Sequence, residues 1–355
     1  MKKILRHKTK LVKVGKVGIG GKSPISVQSM TSTPTKDVQK TVRQIKELEK
    51  AGCEIIRVGV PDIESARAIG KIKKEINIPL VADIHFSVDL ALEAIHQGAD
   101  KIRINPGNFP KNGLVKIVGE AKKKKIPIRI GVNSGSLEKD ILKEEKRVTP
   151  EMMVKSALKS IKLMEKLKFY NLVIALKASD APRTIKANQL LAEKVNYPLH
   201  LGVTEAGGEF SGTIKSAVAF GTLLSEGIGD TIRVSLSADP LKEVKAGWEI
   251  LKSLELRERG LTVVSCPTCA RKKLPVVELS EYVEKNFSDL PLKKPFKIAI
   301  MGCIVNGPGE AREADLGIVG VEDENAAIFE NGKFVKNIKI KDLKLFLKKK
   351  IESLE

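Results

Sequence analysis

Three cysteines carry the most distinctive chemistry of the chain. Cys266 and Cys269 form a Cys-x-x-Cys pair, and Cys303 follows after 33 intervening residues in the run Met301-Gly302-Cys303-Ile304-Val305-Asn306-Gly307-Pro308-Gly309-Glu310. A Cys-x-x-Cys pair alone also suits a thioredoxin-like redox couple. A third thiol in a Gly-rich turn favours a soft metal site, because turns release backbone N–H groups that hydrogen-bond thiolates and sulfides. Structural zinc is normally held by four Cys or His ligands, and after His200 the chain has no Cys or His besides these three. A cubane cluster on three thiolates leaves one iron for another ligand or for substrate. Spacing keeps zinc open as the alternative, since Cys-x-x-Cys serves both classes. Cys53 is remote and reads as a buried core thiol.

A second set of chemistry-bearing residues emerges from strand alternation, which puts residues two apart on one face. Arg57 shares a face with Gly59, Asp83 with His85, Arg103 with Asn105, and Arg129 with Gly131 and Asn133. Further along, Lys177 pairs with Ser179, His200 with Gly202 and Thr204, and Arg233 with Ser235 and Ser237. Cations buried together are costly unless counter-charged, and Asp83 and Glu205 are the nearby acids in this pattern. A bound polyanion would resolve the imbalance.

The elements that must position these residues are short β-branched runs at 25–30, 54–60, 79–84, 101–107, 127–133, 171–179, 198–205 and 231–237, each followed by helical periodicity. Near-continuous apolar runs are what strands buried on both faces require. Eight βα units predict a TIM barrel, whose active site lies at the C-terminal strand ends and often binds phosphate. A doubly wound sheet is the alternative. Gly15 and Gly21-Lys22-Ser23 mimic a phosphate-binding loop, but five residues separate the glycines and a strand follows where a helix is needed. That stretch reads as the turn of an N-terminal β-hairpin.

A chain of 355 residues exceeds a single core. We expect a (β/α)8 barrel over 1–257 that binds substrate, followed by a smaller α+β domain over 258–355 that carries the clustered thiols. The net charge of +20 collects partly in lysine tracts at 122–125 and 348–350, which read as solvated helix faces. Three tyrosines, one tryptophan and no RNP or zinc-finger pattern argue against nucleic acid as a partner. No apolar run is long enough for a signal peptide or a membrane span, so a cytoplasmic location is expected.

The motifs SCPTCAR and MGCIVNGPGEAREADLGIVG, preceded by KIRINPGN, RIGVNSGS, LKASD and HLGVTEAG, resemble those of the 4-hydroxy-3-methylbut-2-enyl diphosphate synthase family, in its two-domain bacterial form. The resemblance covers essentially the whole chain. It implies reductive opening and dehydration of a small cyclic diphosphate, 2-C-methyl-D-erythritol 2,4-cyclodiphosphate, in isoprenoid synthesis. It implies that 258–355 is an iron–sulfur domain, its [4Fe-4S] cluster held by Cys266, Cys269, Cys303 and Glu310, with flavodoxin or ferredoxin as electron donor. Substrate-binding roles fall on Arg57, Arg103, Asn105, Arg129, Asn133, Lys177, Arg233 and Ser235, and catalytic roles on Glu205, His200 and Glu310. Chain direction adds an expectation about assembly. The eighth helix ends near Leu256 at the bottom of the barrel, ten residues before Cys266, whereas the active-site mouth is at the top. A homodimer with active sites shared between chains would solve that geometry, and the resemblance implies the same.

Overall fold

The structure, a computed structural model, describes residues 4–354 apart from 143–146, 288, 289, 291 and 323. The chain divides into two compact units, Met1–Arg257 and Glu258–Glu355. The first begins with a hairpin of β1 (Val12–Val14) and β2 (Val17–Ile19), antiparallel about a turn in which Gly15 takes a φ of 53°. Eight parallel strands follow: β3 (Ser26–Met30), β4 (Ile55–Gly59), β5 (Leu80–Asp83), β6 (Lys101–Ile104), β7 (Ile128–Asn133), β8 (Leu172–Lys177), β9 (His200–Leu201) and β10 (Thr231–Ile232). They pair in the order β8-β7-β6-β5-β4-β3-β10-β9. A parallel bridge between Ile174 and Leu199 joins the two ends, giving the (β/α)8 barrel.

Local chemistry starts the return helices. Asp37, Asp62, Ser87, Thr149, Asp180 and Asp239 each cap a helix by accepting from a backbone N–H two or three residues on. Strand residues that face those helices are apolar, among them Ile56, Val58, Ile102, Ile104, Ile130 and Ile174, and they form the main core with the helices. A separate apolar cluster inside the barrel joins Ile55, Val81 and Val173 to Val12, Val14 and Ile19 of the hairpin. The hairpin therefore plugs the N-terminal end of the barrel, and no helix opens at the apparent phosphate loop.

The strands differ from expectation in length. Residues 198–205 and 231–237 contribute only two paired residues each. Proline at 198 has no N–H to donate, and Glu205 sits at a φ of 45°, which ends extended structure. The run 101–107 stops at Ile104 because Asn105 caps a short 3-10 turn, Pro106–Asn108.

The second unit is a mixed sheet in the order β11 (Leu261–Ser265), β12 (Phe296–Met301), β13 (Leu316–Gly320), β14 (Asn325–Glu330) and β15 (Lys333–Lys339), parallel across the first three and antiparallel beyond. Helices Val276–Phe287 and Leu343–Glu352 cover one face through Leu279, Val283, Leu343 and Leu347. Small residues, Ala299, Ala311 and Ala327 among them, let the short helix Gly307–Arg312 lie close on the other. Lys122 to Lys125 are exposed, as a solvated helix face requires.

Candidate active site

Barrel register sets the site. Gly59 lies opposite Asp83, Asp83 opposite Arg103, and Arg103 opposite Arg129, which makes one inward-facing row across four strands. Two steps toward the C-terminal ends, Asn133 lies opposite Lys177. Together they line a cavity of about 200 Å³ bounded by Arg57, Asp83, His85, Arg103, Arg129, Gly131, Asn133, Ala175, Lys177, Thr204, Arg233 and Ser235. Two glycines make room for the cations. A Cβ on Gly131 would stand 2.6 Å from Nε of Arg103, and one on Gly202 would stand 2.5 Å from Nζ of Lys177.

The electrostatics are one-sided. Arg103 donates to Asp83 at 3.1 Å and to a ring nitrogen of His85 at 3.1 Å. Arg57 approaches the other Asp83 oxygen at 3.7 Å and directs its donors at the sulfur of Met30. Burial would raise the Asp83 carboxyl, but Arg57, Arg103 and Arg129 outweigh it and hold it at about 2. Arg233 makes a two-oxygen pair with Glu243, at 3.1 and 3.2 Å. Among the described residues Arg129 has no carboxylate partner; it is 1% exposed, and its Nε and one terminal nitrogen lack any hydrogen bond there. Burial first, then Arg57 and Arg103, disfavour its charge. The same causes, burial and then neighbouring arginines, push the Lys177 amine well below its ordinary value. A guanidinium keeps its proton, so the barrel holds uncompensated positive charge that an anion would relieve.

Of the residues expected to bind substrate, Arg57, Arg103, Arg129, Asn133, Lys177, Arg233 and Ser235 line this cavity and Asn105 does not. Asn105 spends its side-chain oxygen on the Gly107 N–H. His200 is fully buried and outside the lining, and neither ring nitrogen has a partner. Burial, then Lys177 and Arg129, hold it well below the ordinary histidine range and hence neutral. Glu205 corrects the expectation that it balances the barrel cations: it is exposed, and among the described residues it forms no ion pair with them. Glu243 balances Arg233 instead. Strand alternation could not reveal it, because it belongs to the helix Pro240–Ser253. Alternation did carry the signal for His85, Thr204 and Lys101, which share inward faces with residues already singled out.

In the second unit, Ser265 at the end of β11 is in register with Ile300 of β12, so Cys266 and the Gly302-Cys303 turn emerge at the same end of adjacent strands. The Gly302 N–H donates to Sγ of Cys266 at 3.1 Å, the kind of contact that stabilises a thiolate. Gly320 underlies this turn, where a Cβ would collide with the Gly302 carbonyl. Cys266 and Cys303 are half-buried and Cys269 is exposed; Glu310, half-buried, lies in the first turn of the helix Gly307–Arg312. Among the described residues no three Cys, His, Asp or Glu side chains stand close enough to hold an ion as they are. Donor type fits an iron–sulfur or zinc site. Cys53 does not compete: its thiol is buried, donates to the Ile55 carbonyl at 3.1 Å, and is pushed up by burial to about 12.

Fold and site together define a TIM-barrel protein with a cationic pocket at the strand ends and a separate thiol-bearing domain. Family models match both parts, the GcpE TIM-barrel domain over residues 9–248 and the GcpE protein C-terminal domain over 262–353. The chain belongs to the GcpE family. It is 56% identical to the 4-hydroxy-3-methylbut-2-en-1-yl diphosphate synthase (flavodoxin) of Caldanaerobacter subterraneus subsp. tengcongensis, over 99% of this chain and 98% of the relative. Identity to the protein of the same name from Ruminiclostridium cellulolyticum is 54%, over 94% of each. Among solved structures, dihydropteroate synthase from Stenotrophomonas maltophilia overlays 70% of this chain and 98% of its own, with a TM-score of 0.53 and 16% identity, a likeness of fold alone. No helix of the described residues is long and apolar enough to cross a membrane.

Proposed function

We propose that this chain converts 2-C-methyl-D-erythritol 2,4-cyclodiphosphate to 4-hydroxy-3-methylbut-2-enyl diphosphate, the reaction its relatives are named for. The reading is carried by the barrel cavity, where Arg57, Arg103, Arg129, Lys177 and Arg233 meet a single lining carboxylate, Asp83. Such a pocket wants a compact polyanion. The reaction balances with two electrons and two protons: the bond from C2 to its phosphate oxygen breaks, the C3 oxygen leaves as water, and a C2–C3 double bond forms.

The proposed roles follow the chemistry of each group. Arg57, Arg103, Arg129, Lys177 and Arg233 hold the phosphate oxygens, helped by Asn133 and Ser235, with Asn105 shaping the loop at the end of β6. Glu205, at the end of β9 in a backbone conformation that costs a non-glycine residue about 1 kcal/mol, is proposed to deliver the proton to the departing oxygen. His200 supports the pocket from below as a neutral ring. Cys266, Cys269 and Cys303 would hold a [4Fe-4S] cluster, with Glu310 as an exchangeable fourth ligand. When bound, such a cluster supplies single electrons. Flavodoxin, the donor in the relatives' names, is the proposed reductant here, in a cytoplasm that keeps the thiols reduced.

We also propose a homodimer. Arg257 pairs with Glu54 at 2.9 Å and donates to the Ile25 carbonyl, so the chain leaves the barrel at its N-terminal end, opposite the pocket. A thiol domain serving the partner's barrel mouth resolves that separation. The test is anaerobic purification followed by single turnover with dithionite-reduced flavodoxin. Visible iron–sulfur absorbance and formation of the linear diphosphate support the assignment, and a colourless zinc protein without turnover sinks it. Mixed dimers of Glu205→Ala and Cys266→Ser subunits should recover activity that neither variant has alone. Mixed dimers no more active than their parents would rule out shared sites.

A further inference from the structure

Beneath the cavity the barrel holds polar groups that the proposed reaction leaves unused. Lys101 lies two residues before Arg103 on β6, on the same inward face and one step nearer the plugged end. It is fully buried, and among the described residues its Nζ has no hydrogen-bond partner. The same is true of both side-chain atoms of Gln28 on β3 and both ring nitrogens of His200 on β9. The residue opposite Lys101 on β5 is Val81, which packs with Val12, Val14 and Ile19 of the hairpin below.

The charged and titratable groups around this amine are Arg57 on β4, Asp83 on β5, Arg103 on its own strand, Arg129 on β7, Lys177 on β8 and His200 on β9. The one acid among them, Asp83, is engaged by Arg57 and Arg103, and Glu243 by Arg233. Burial first, then Arg129 and Arg57, push the Lys101 amine well below its ordinary value. Guanidinium groups cannot shed their protons, whereas an amine can. Lys101 is thus the group beneath the pocket able to lower the charge of an empty barrel.

We propose that Lys101 is a positioning residue that takes up a proton from solvent when the dianionic cyclic diphosphate enters the cavity above it. The barrel then carries its full positive charge only while a ligand neutralises it. This rests on the functional reading above and deepens it. Because the ligand favours the protonated amine, affinity is greatest at low pH and falls as pH rises through the amine's value in the complex. A neutral substrate analogue would recruit no proton.

Both phosphates of the cyclic diphosphate are esterified and bear no proton that titrates near neutrality, so exchange can be assigned to the protein. The experiment is calorimetric titration of the full chain with this ligand, without reductant, in buffers of different ionisation enthalpy. Wild type is expected to take up protons, some through Lys177. Lys101→Met should take up about one fewer, bind about tenfold more weakly at neutral pH, and be at least as heat-stable as wild type when empty. Lys101→Arg, charged throughout, should lose the same proton while retaining tight binding. Equal proton uptake in wild type and Lys101→Met overturns the proposal, as does a marked loss of empty-state stability, which would make the amine a structural donor. No binding to wild type would overturn the substrate assignment as well.

Discussion

The barrel interior and the thiol turns solve the problem of holding a reactive site in opposite ways. Arg57, Arg103 and Arg129 project from strands locked by register and by helices packed behind them, and their positions are set before any ligand arrives. Cys266, Cys269, Cys303 and Glu310 stand in turns and at the start of a six-residue helix, half-buried or exposed, and not gathered to coordination distance. The strand-borne site costs electrostatic energy while empty and is preorganised. The turn-borne site costs little while empty, and a metal bound there would supply its order.

That contrast can be broken most sharply at the thiols. Cys303→Ser is expected to lose bound iron and essentially all turnover, whereas Glu310→Ala keeps part of its iron and loses most activity, since thiolate anchors iron and carboxylate only occupies an exchangeable position. Iron content and visible absorbance of anaerobically prepared variants decide it; equal iron loss would erase the distinction. Inside the barrel, Glu243→Gln should destabilise the protein by about 3 kcal/mol, because the Arg233 charge is left buried and unpaired. Thermal unfolding measures this, and a change under about 0.5 kcal/mol would mean that water already shares the pair.

Arg129 should behave in the reverse sense. With no carboxylate to lose, Arg129→Met is expected to raise the melting temperature of the empty protein by a few degrees while weakening ligand affinity about a hundredfold. Its cluster spectrum should be unchanged. Unaltered affinity would remove Arg129 from the anion cradle.

A further effect is on pH dependence. Lys101 and Lys177 are held below their ordinary values in the empty barrel. Below the ordinary lysine value of 10.5 the unfolded chain therefore binds more protons than the native one, and stability rises with pH by at most about 1.4 kcal/mol per unit for each group. Above the ordinary thiol value of 9.0, Cys53 opposes the trend, because folding raises it to about 12. On the acid side, Asp83 contributes stability that is present above 3.8 and lost as pH falls through about 2. Saturating ligand should flatten the alkaline slope; denaturant unfolding across this range, with and without ligand, tests that.

Much of this protein was determined by its sequence alone. Period-two alternation located the inward cations, the β-branched runs located eight strands, and the spacing of Cys266, Cys269 and Cys303 marked thiol-bearing turns of the second unit, because these signals are local along the chain. Tertiary structure decided what crosses between distant segments. It brought Glu243 from a helix to Arg233, left Glu205 outside the ion pairs, and shortened β9 where proline and a left-handed residue interrupt pairing. It also set Lys101 beneath the pocket with no acceptor in reach. A residue's face is fixed by the strand it belongs to, but its partners are fixed by the register of strands it has never met in sequence.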